Sequence, residues 1–260
     1  MANLLRTAKS GNDWTTQELE AYNITIVSQS KADFFGTTEL ADPTDPSLLG
    51  FINNESRATA SDNETKQLIH YLDLAMNPKV GQEAAVDNFA AELLKSLKYN
   101  RNGKIVFIRH TLPFVICGEN SIAQTDVCVM NNNDILLMLL HDDKRLTSLK
   151  DPEPQVIAEA IAAFALNNRK LVRNLNIPSP DAILIPAIIM AGTTPIFYKI
   201  IVTTELSRAV QNGTYPNTET RVLRYIPTLP TGRNNDGMRP LQNRLEILRC
   251  LEAFRQFLGK

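Results

Sequence analysis

Apolar positions along this chain recur with two different periods, and the change from one to the other divides it into elements. From 66 to 76 and from 81 to 98 they return every three to four residues. In the second stretch Val86, Phe89, Ala90, Leu93, Leu94 and Leu97 fall on one stripe, which predicts a helix buried along that face. Ahead of these, Thr15-Thr-Gln-Glu18 is a capping box opening a short helix, and 22–27 alternates as a strand does. Residues 41–47 are turn chemistry, and 53–65 are polar enough for a loop. Four strand-like segments follow: 104–109, 113–118, 125–130 and 134–140. They lie too close together for crossover helices, so antiparallel pairing is expected. Asp151-Pro152 then starts a helix carrying Ile157, Ile161 and Phe164 on one face, with Asn167-Asn168 as its expected stop. Strands are predicted at 183–185, 195–202 and 220–226, with a short helix over 204–211 and an amphipathic helix over 241–258 closing the chain. The order predicts a mixed α/β fold in which a central sheet is flanked by helices.

Composition adds bounds. At 260 residues, 43% apolar and 21% charged, the chain can bury a full core. A single domain is expected, with 1–80 an extension too poor in apolar residues for a core of its own. Residues 81–205 would be the central unit and 206–260 an added strand and helix. The formal charge of −1 argues against a wholly basic surface, although Arg221, Arg224, Arg233, Arg239, Arg244, Arg249, Arg255 and Lys260 make the C-terminal segment basic. Cys117, Cys128 and Cys250 are odd in number, lack CxxC spacing and sit in apolar patterns, so reduced core thiols are expected. No signal-peptide pattern and no long apolar run occurs, which predicts an intracellular protein, cytoplasmic or nuclear, without a membrane span.

The candidate chemistry lies at the end of the most apolar strand, Asp134-Ile-Leu-Leu-Met-Leu-Leu-His141-Asp142-Asp143-Lys144. A run apolar at every position predicts a strand buried on both faces, which would hold the polar residues at its end rigidly. Asp126 stands inside the preceding apolar strand, where a carboxylate needs a partner or a metal. Strand alternation puts Asp142 and Lys144 on one face and Asp143 on the other. Two carboxylates on neighbouring strands suit Mg²⁺, which takes one or two protein carboxylates and keeps waters. A lysine two residues on can hold an attacking water and offset charge developing on a phosphate. On the helix over 81–98, Glu83 and Asp87 lie one turn apart at the edge of the buried stripe. His141 reads as a packing residue, His70 and His110 give no metal spacing, and Trp14 with scattered tyrosines gives no platform for stacking bases.

The pattern Asp126 … Asp142-Asp143-Lys144, in adjacent strands after a helix, resembles the PD-(D/E)XK nuclease superfamily, which has the restriction-endonuclease-like fold. That match spans roughly residues 82–203. Nearly the whole chain is also similar to a large group of proteins from mushroom-forming fungi to which no function is attached. The segments that carry this second likeness are Trp14-Thr-Thr-Gln-Glu-Leu19, Tyr22-Asn-Ile24, Gln124-Thr-Asp-Val-Cys128, 151–164 and Gly237-Met-Arg-Pro-Leu-Gln-Asn243. The superfamily resemblance implies a restriction-endonuclease-like core, Asp126 and Asp142 as metal ligands and Lys144 as the catalytic lysine. An acid of the first helix, Asp87 or else Glu83, would complete the metal site, and Gln155 on the following helix would assist. It further implies Mg²⁺ or Mn²⁺ as cofactor, a nucleic acid, foremost DNA, as substrate, and leaves a homodimer open. Two positions depart from the pattern. Thr125 stands where the motif's name has proline, and the shorter aspartate occupies the (D/E) position. The alternative is a catalytically inactive member of the same fold acting as a binding, storage or interaction protein, which the near-zero net charge favours.

The register makes these expectations vulnerable. With a simple hairpin at 131–134, Asp126 would lie opposite position 139 and turn away from the face of Asp142. Convergence therefore predicts a looser loop or a bulge between the two strands.

Overall fold

The computed structural model describes residues 6–77, 84–132, 134–142, 151–174, 180–232 and 236–258, with the side chains of 141, 142 and 170–174 outside that description. Its elements in order are α1 (Thr16–Ala21), β1 (Ile24–Ser28), α2 (Lys31–Phe35), α3 (Pro46–Asn53), α4 (Asn63–Met76), α5 (Ala85–Ser96), β2 (Ile105–Ile116), β3 (Glu119–Asn131) and β4 (Asp134–Asp142). They continue with α6 (Glu153–Asn174), β5 (Ala182–Ala191), β6 (Thr194–Thr203), α7 (Thr204–Asn212), β7 (Thr220–Tyr225) and α8 (Leu241–Phe254). The fold is mixed α/β: one seven-stranded sheet in the order β1-β7-β6-β5-β4-β3-β2, with helices on both faces. Strands β2, β3 and β4 are antiparallel, whereas α6 crosses over so that β5 runs parallel to β4.

Alternation along β3 and β4 sorts the two cores. Val127, Val129, Leu137 and Leu139 face a layer that contains α4, α5 and α8. Cys128, Met130, Met138 and Leu140 face α6, α7 and the N-terminal segment. This burial on both sides is why β4 reads as an unbroken apolar run. Helix α6 is itself buried all round its middle, with Val156, Ile157, Ala158, Ala160, Ile161, Ala162 and Ala163 at 1% exposure or less. It lies between the sheet and the N-terminal segment, where a Cβ on Gly11 would stand 2.6 Å from that of Ala123 and 3.6 Å from that of Ala158. Only a residue without a side chain fits so close an approach.

Two expectations from the sequence need correcting. Segments 104–109 and 113–118 form one continuous strand, β2, with Pro113 inside it opposite Ile122. Proline is tolerated there because β2 is the edge of the sheet, where one row of amides lacks a strand neighbour. The hairpin turn follows at Cys117 and Gly118, whose φ of 52° and 81° give the left-handed pair of a two-residue turn. Second, Asn167 and Asn168 do not stop α6, which runs on to Asn174. Both are buried, and the Asn167 side chain is bound elsewhere: its Oδ1 accepts from the Ile135 amide at 2.9 Å and its Nδ2 donates to the Ile135 carbonyl at 3.0 Å. Pairing between β4 and β5 begins only at Met138, so this carboxamide serves the start of β4 in place of a strand.

The N- and C-terminal segments are woven into the same sheet. Strand β7 lies between β6 and β1, antiparallel to the first and parallel to the second. Arg244 of α8 is almost fully buried, donating to the carbonyls of Met238, Phe51 and Asn54 with its guanidinium over the Phe51 ring. Phe34, Phe35, Phe197, Tyr225 and Phe254 pack ring against ring beside it in the same layer.

Replacing Asn167 with leucine is expected to lower stability by about 2–4 kcal/mol, because it strands both the amide and the carbonyl of Ile135 in a dry core. Urea denaturation measures the loss, and amide exchange at Ile135 should quicken more than exchange in β5. An unchanged midpoint would show that Asn167 does not secure β4.

Candidate active site

The hairpin between β3 and β4 is irregular. Asn131 pairs with Asp134 and Met130 with Ile135, but Val129 pairs with Leu137, Cys128 with Met138 and Val127 with Leu139, so one extra residue on β4 is absorbed between Val129 and Met130. The expected bulge is therefore present. Continuing the shifted register sets position 126 opposite Leu140, not 139, and position 142 shares strand parity with 140.

Beyond Val127 and Leu139 the two strands part. Strand β3 goes on pairing with β2, and β4 with β5 as far as Asp142 opposite Ala191. At the fork, fully buried Thr125 donates its hydroxyl to the Leu139 carbonyl at 3.2 Å and to the Val127 carbonyl at 3.0 Å. The Thr125 hydroxyl thus ties down a carbonyl at the point where the ladder ends. On the other side of Asp126, the pairing of β3 with β2 skips one position between Ile108–Val127 and His110–Thr125. The residue there, Arg109, has a left-handed φ of 56°. A non-glycine residue in that conformation costs about 1–2 kcal/mol, and such strain concentrates where a site requires it.

Two further carboxyls feel the charge of Asp126. Asp87, in the first turn of α5, is 5% exposed. Burial first, and then Asp126, push its pKa up to about 6, against an opposing pull from Arg109. Glu159 of α6 is fully buried. Desolvation raises it well above the ordinary carboxylate range and Asp126 adds to that, while the Gln155 amide, donating to its Oε1 at 3.1 Å, pulls the other way. The second oxygen of Glu159, Oε2, is buried without a hydrogen-bond partner among the described residues. Glu159 also helps to raise the buried Cys128 thiol to about 12, well outside the range of a reactive thiolate.

The structure thus brings Asp126, Asp87 and Gln155 to one fork in the sheet, with position 142 at the end of the adjoining strand. Glu83, Asp143 and Lys144 lie outside the described residues. Among the described residues, no group of three or more His, Cys, Asp or Glu is arranged to hold a metal ion. The donor set is nonetheless hard oxygen throughout, with like charges crowded in a desolvated place, which is the chemistry of a divalent-cation site. Sequence reasoning missed Glu159 and Arg109. The first left a signal, an acid isolated within the apolar run Val156–Phe164 and one turn after Gln155. The second became visible only through the register of β2. The basic C-terminal segment does not gather at this fork as a single face. Arg244 is buried in the opposite core, Arg249 pairs with Asp42, Arg255 with Glu252, and Arg224 with Glu153, which also accepts from the Tyr198 hydroxyl at 2.6 Å.

Among the described residues, no helix is long and apolar enough to cross a membrane. The sequence matches no protein-family model and no curated protein.

The crowded acids set a pH dependence. Below about pH 4 both the folded and the unfolded chain carry Asp87 protonated. As pH rises, the unfolded chain releases this proton first and the folded chain retains it until about 6, so stability falls across that window. Asp87→Asn removes the effect. Its melting temperature should match wild type near pH 3.5 and exceed it at pH 8, by about 1–3 kcal/mol of stability. Calorimetry at the two pH values checks this. A variant less stable than wild type at pH 8 would mean that Asp87 is held by favourable partners and not crowded by like charge.

Proposed function

We propose that this protein is a Mg²⁺-dependent nuclease that hydrolyses phosphodiester bonds in nucleic acid, with DNA as the foremost substrate. The observation that carries the reading is the register shift at Val129/Met130. It gives positions 126 and 142 the same strand parity at a fork where Asp87 and Glu159 also feel the charge of Asp126. The order of elements supports it as well: helix α5, three antiparallel strands, crossover helix α6 and parallel strand β5 are the order that the PD-(D/E)XK resemblance requires.

In this reading Asp126 and Asp142 hold the cation, with Asp87 as the helix acid. The bound Mg²⁺ would supply Lewis-acid stabilisation of charge on the phosphate and lower the pKa of a bound water. Lys144 holds the attacking water and offsets the developing charge through its ammonium. Asp87, raised to about 6 by burial and by Asp126, is still mostly ionised at physiological pH and so would be available to the cation. Gln155 fixes the rotamer of Glu159 through the 3.1 Å hydrogen bond, so that the inner carboxyl keeps one orientation beside Asp126. Arg109, across the ladder from Asp126, offsets part of the crowding of acids through its pull on Asp87.

The test is cleavage of plasmid DNA and of RNA with Mg²⁺ or Mn²⁺. Wild type should nick or linearise DNA only when the cation is present. Asp126→Asn and Lys144→Ala should each lose about 10²–10³-fold in rate. Absence of cation-dependent cleavage, or cleavage untouched by both substitutions, would refute the nuclease and favour a binding protein built on the same fold.

A further inference from the structure

The far end of α5 from Asp87 opens on a cleft of about 620 Å³ whose walls are basic. Eleven residues of helix and cap separate Asp87 from Lys98, so the cleft and the fork lie roughly 17 Å apart along the helix axis. Lys98, Arg101, Lys104 and Arg255 line it together with the amides Asn102 and Asn131, and no acid is among its lining residues. In a chain whose net charge is −1, four cations around one concavity are a marked departure.

Local geometry fixes the backbone that carries the cations. Lys98 follows the end of α5 in the left-handed conformation, φ 59°, at a position where glycine is the usual residue. Its neighbours close the cap, with the Lys98 amide donating to the Lys95 carbonyl and the Tyr99 amide to that of Leu94. Three residues on, Asn102 and Gly103 have φ of 58° and 78°, and the Lys104 amide returns to the Arg101 carbonyl at 3.3 Å. This two-residue turn holds the α-carbons of Arg101 and Lys104 within about 7 Å of each other. The turn thus presents two cationic side chains from neighbouring backbone positions at the mouth of the cleft.

Two of the four cations are paired with neighbouring acids and two are not. Lys98 reaches Asp45 at 3.6 Å and Arg255 reaches Glu252 at 3.4 Å, both long and partly exposed pairs of the kind that contributes little. Those two acids line an adjoining cleft along residues 37–46, and Lys98, Arg101 and Arg255 form the ridge between the two. Arg101 and Lys104 have no ion pair among the described residues.

We propose that this cleft is a binding site for a multiply charged phosphate, distinct from the acidic fork and independent of the nuclease reading. Guanidinium forks and ammonium groups suit phosphate oxygens, and the volume is that of a small-ligand site. A free polyphosphate and the backbone of a nucleic acid present the same chemistry.

Titration calorimetry with pyrophosphate and, separately, with a short DNA duplex, both in chelator so that no cation bridges, separates these sources. Wild type should bind at least one probe. Arg101→Ala/Lys104→Ala should weaken that binding at least tenfold, whereas Arg208→Ala/Arg221→Ala, which removes the same charge elsewhere, should not. Loss confined to pyrophosphate assigns the cleft to small phosphates, and loss that includes the duplex assigns it to the phosphodiester backbone. Either result upholds the site. No binding of either probe by wild type, unchanged binding in the Arg101/Lys104 variant, or equal loss in the charge-matched control overturns it. Both altered positions lie in a surface turn, and thermal melting establishes that the variants are folded.

Discussion

A single carboxamide, that of Asn167, stands behind much of this architecture. Strand β4 enters the sheet with a neighbour on one side only, because β5 joins it four residues later than β3 does. The Asn167 side chain takes both the amide and the carbonyl of Ile135 and so lets the strand begin ahead of its parallel partner. Just beyond, between Met130 and Val129, the extra residue of β4 is absorbed. Every side chain downstream has its face set by that step, since a shift of one residue exchanges the two sides of a strand. The division of Leu137 and Leu139 from Met138 and Leu140 into opposite cores, and the relation of position 126 to position 142, both follow from it.

The same fork concentrates electrostatic tension. Glu159 is enclosed in a helix that is otherwise apolar at its centre, and Asp87 begins a helix whose buried stripe packs under β3. Neither arrangement favours folding: each carboxyl must remain protonated beyond its ordinary range or endure a charge that solvent does not screen. A left-handed Arg109 lies beside them. In the nuclease reading proposed above, a bound cation would relieve the crowding of these carboxyls.

Much of the fold was legible in the sequence because the periods were clean. The stripe from Val86 to Leu97 and the run from Ile135 to Leu140 could each belong to one kind of element only. The misreadings have local physical causes. Pro113 looks like a strand terminator, and whether it is one depends on whether the strand lies at the edge, a fact about the whole sheet. Asn167-Asn168 looks like a helix stop because asparagine bonds well to nearby backbone, and Asn167 does so, but to a strand 32 positions away in sequence. At the candidate site, Asp126 and Gln155 could be picked out from a pattern. Glu159 could have been found as a polar exception among apolar neighbours. Arg109 could not, because its importance lies in a strand register that no local pattern specifies.

The placement of β7 between β6 and β1 has a consequence for how the molecule is made. The first strand of the chain can enter the sheet only beside residues 220–225, so it must wait until most of the polypeptide has been synthesised. Until then β6 ends the growing sheet, and the aromatic layer of Phe34, Phe35 and Tyr225 lacks one of its members. Closure over so long a separation in sequence slows folding. The β6 edge and the early helices therefore reach their final partners only after residues 220–225 are in place.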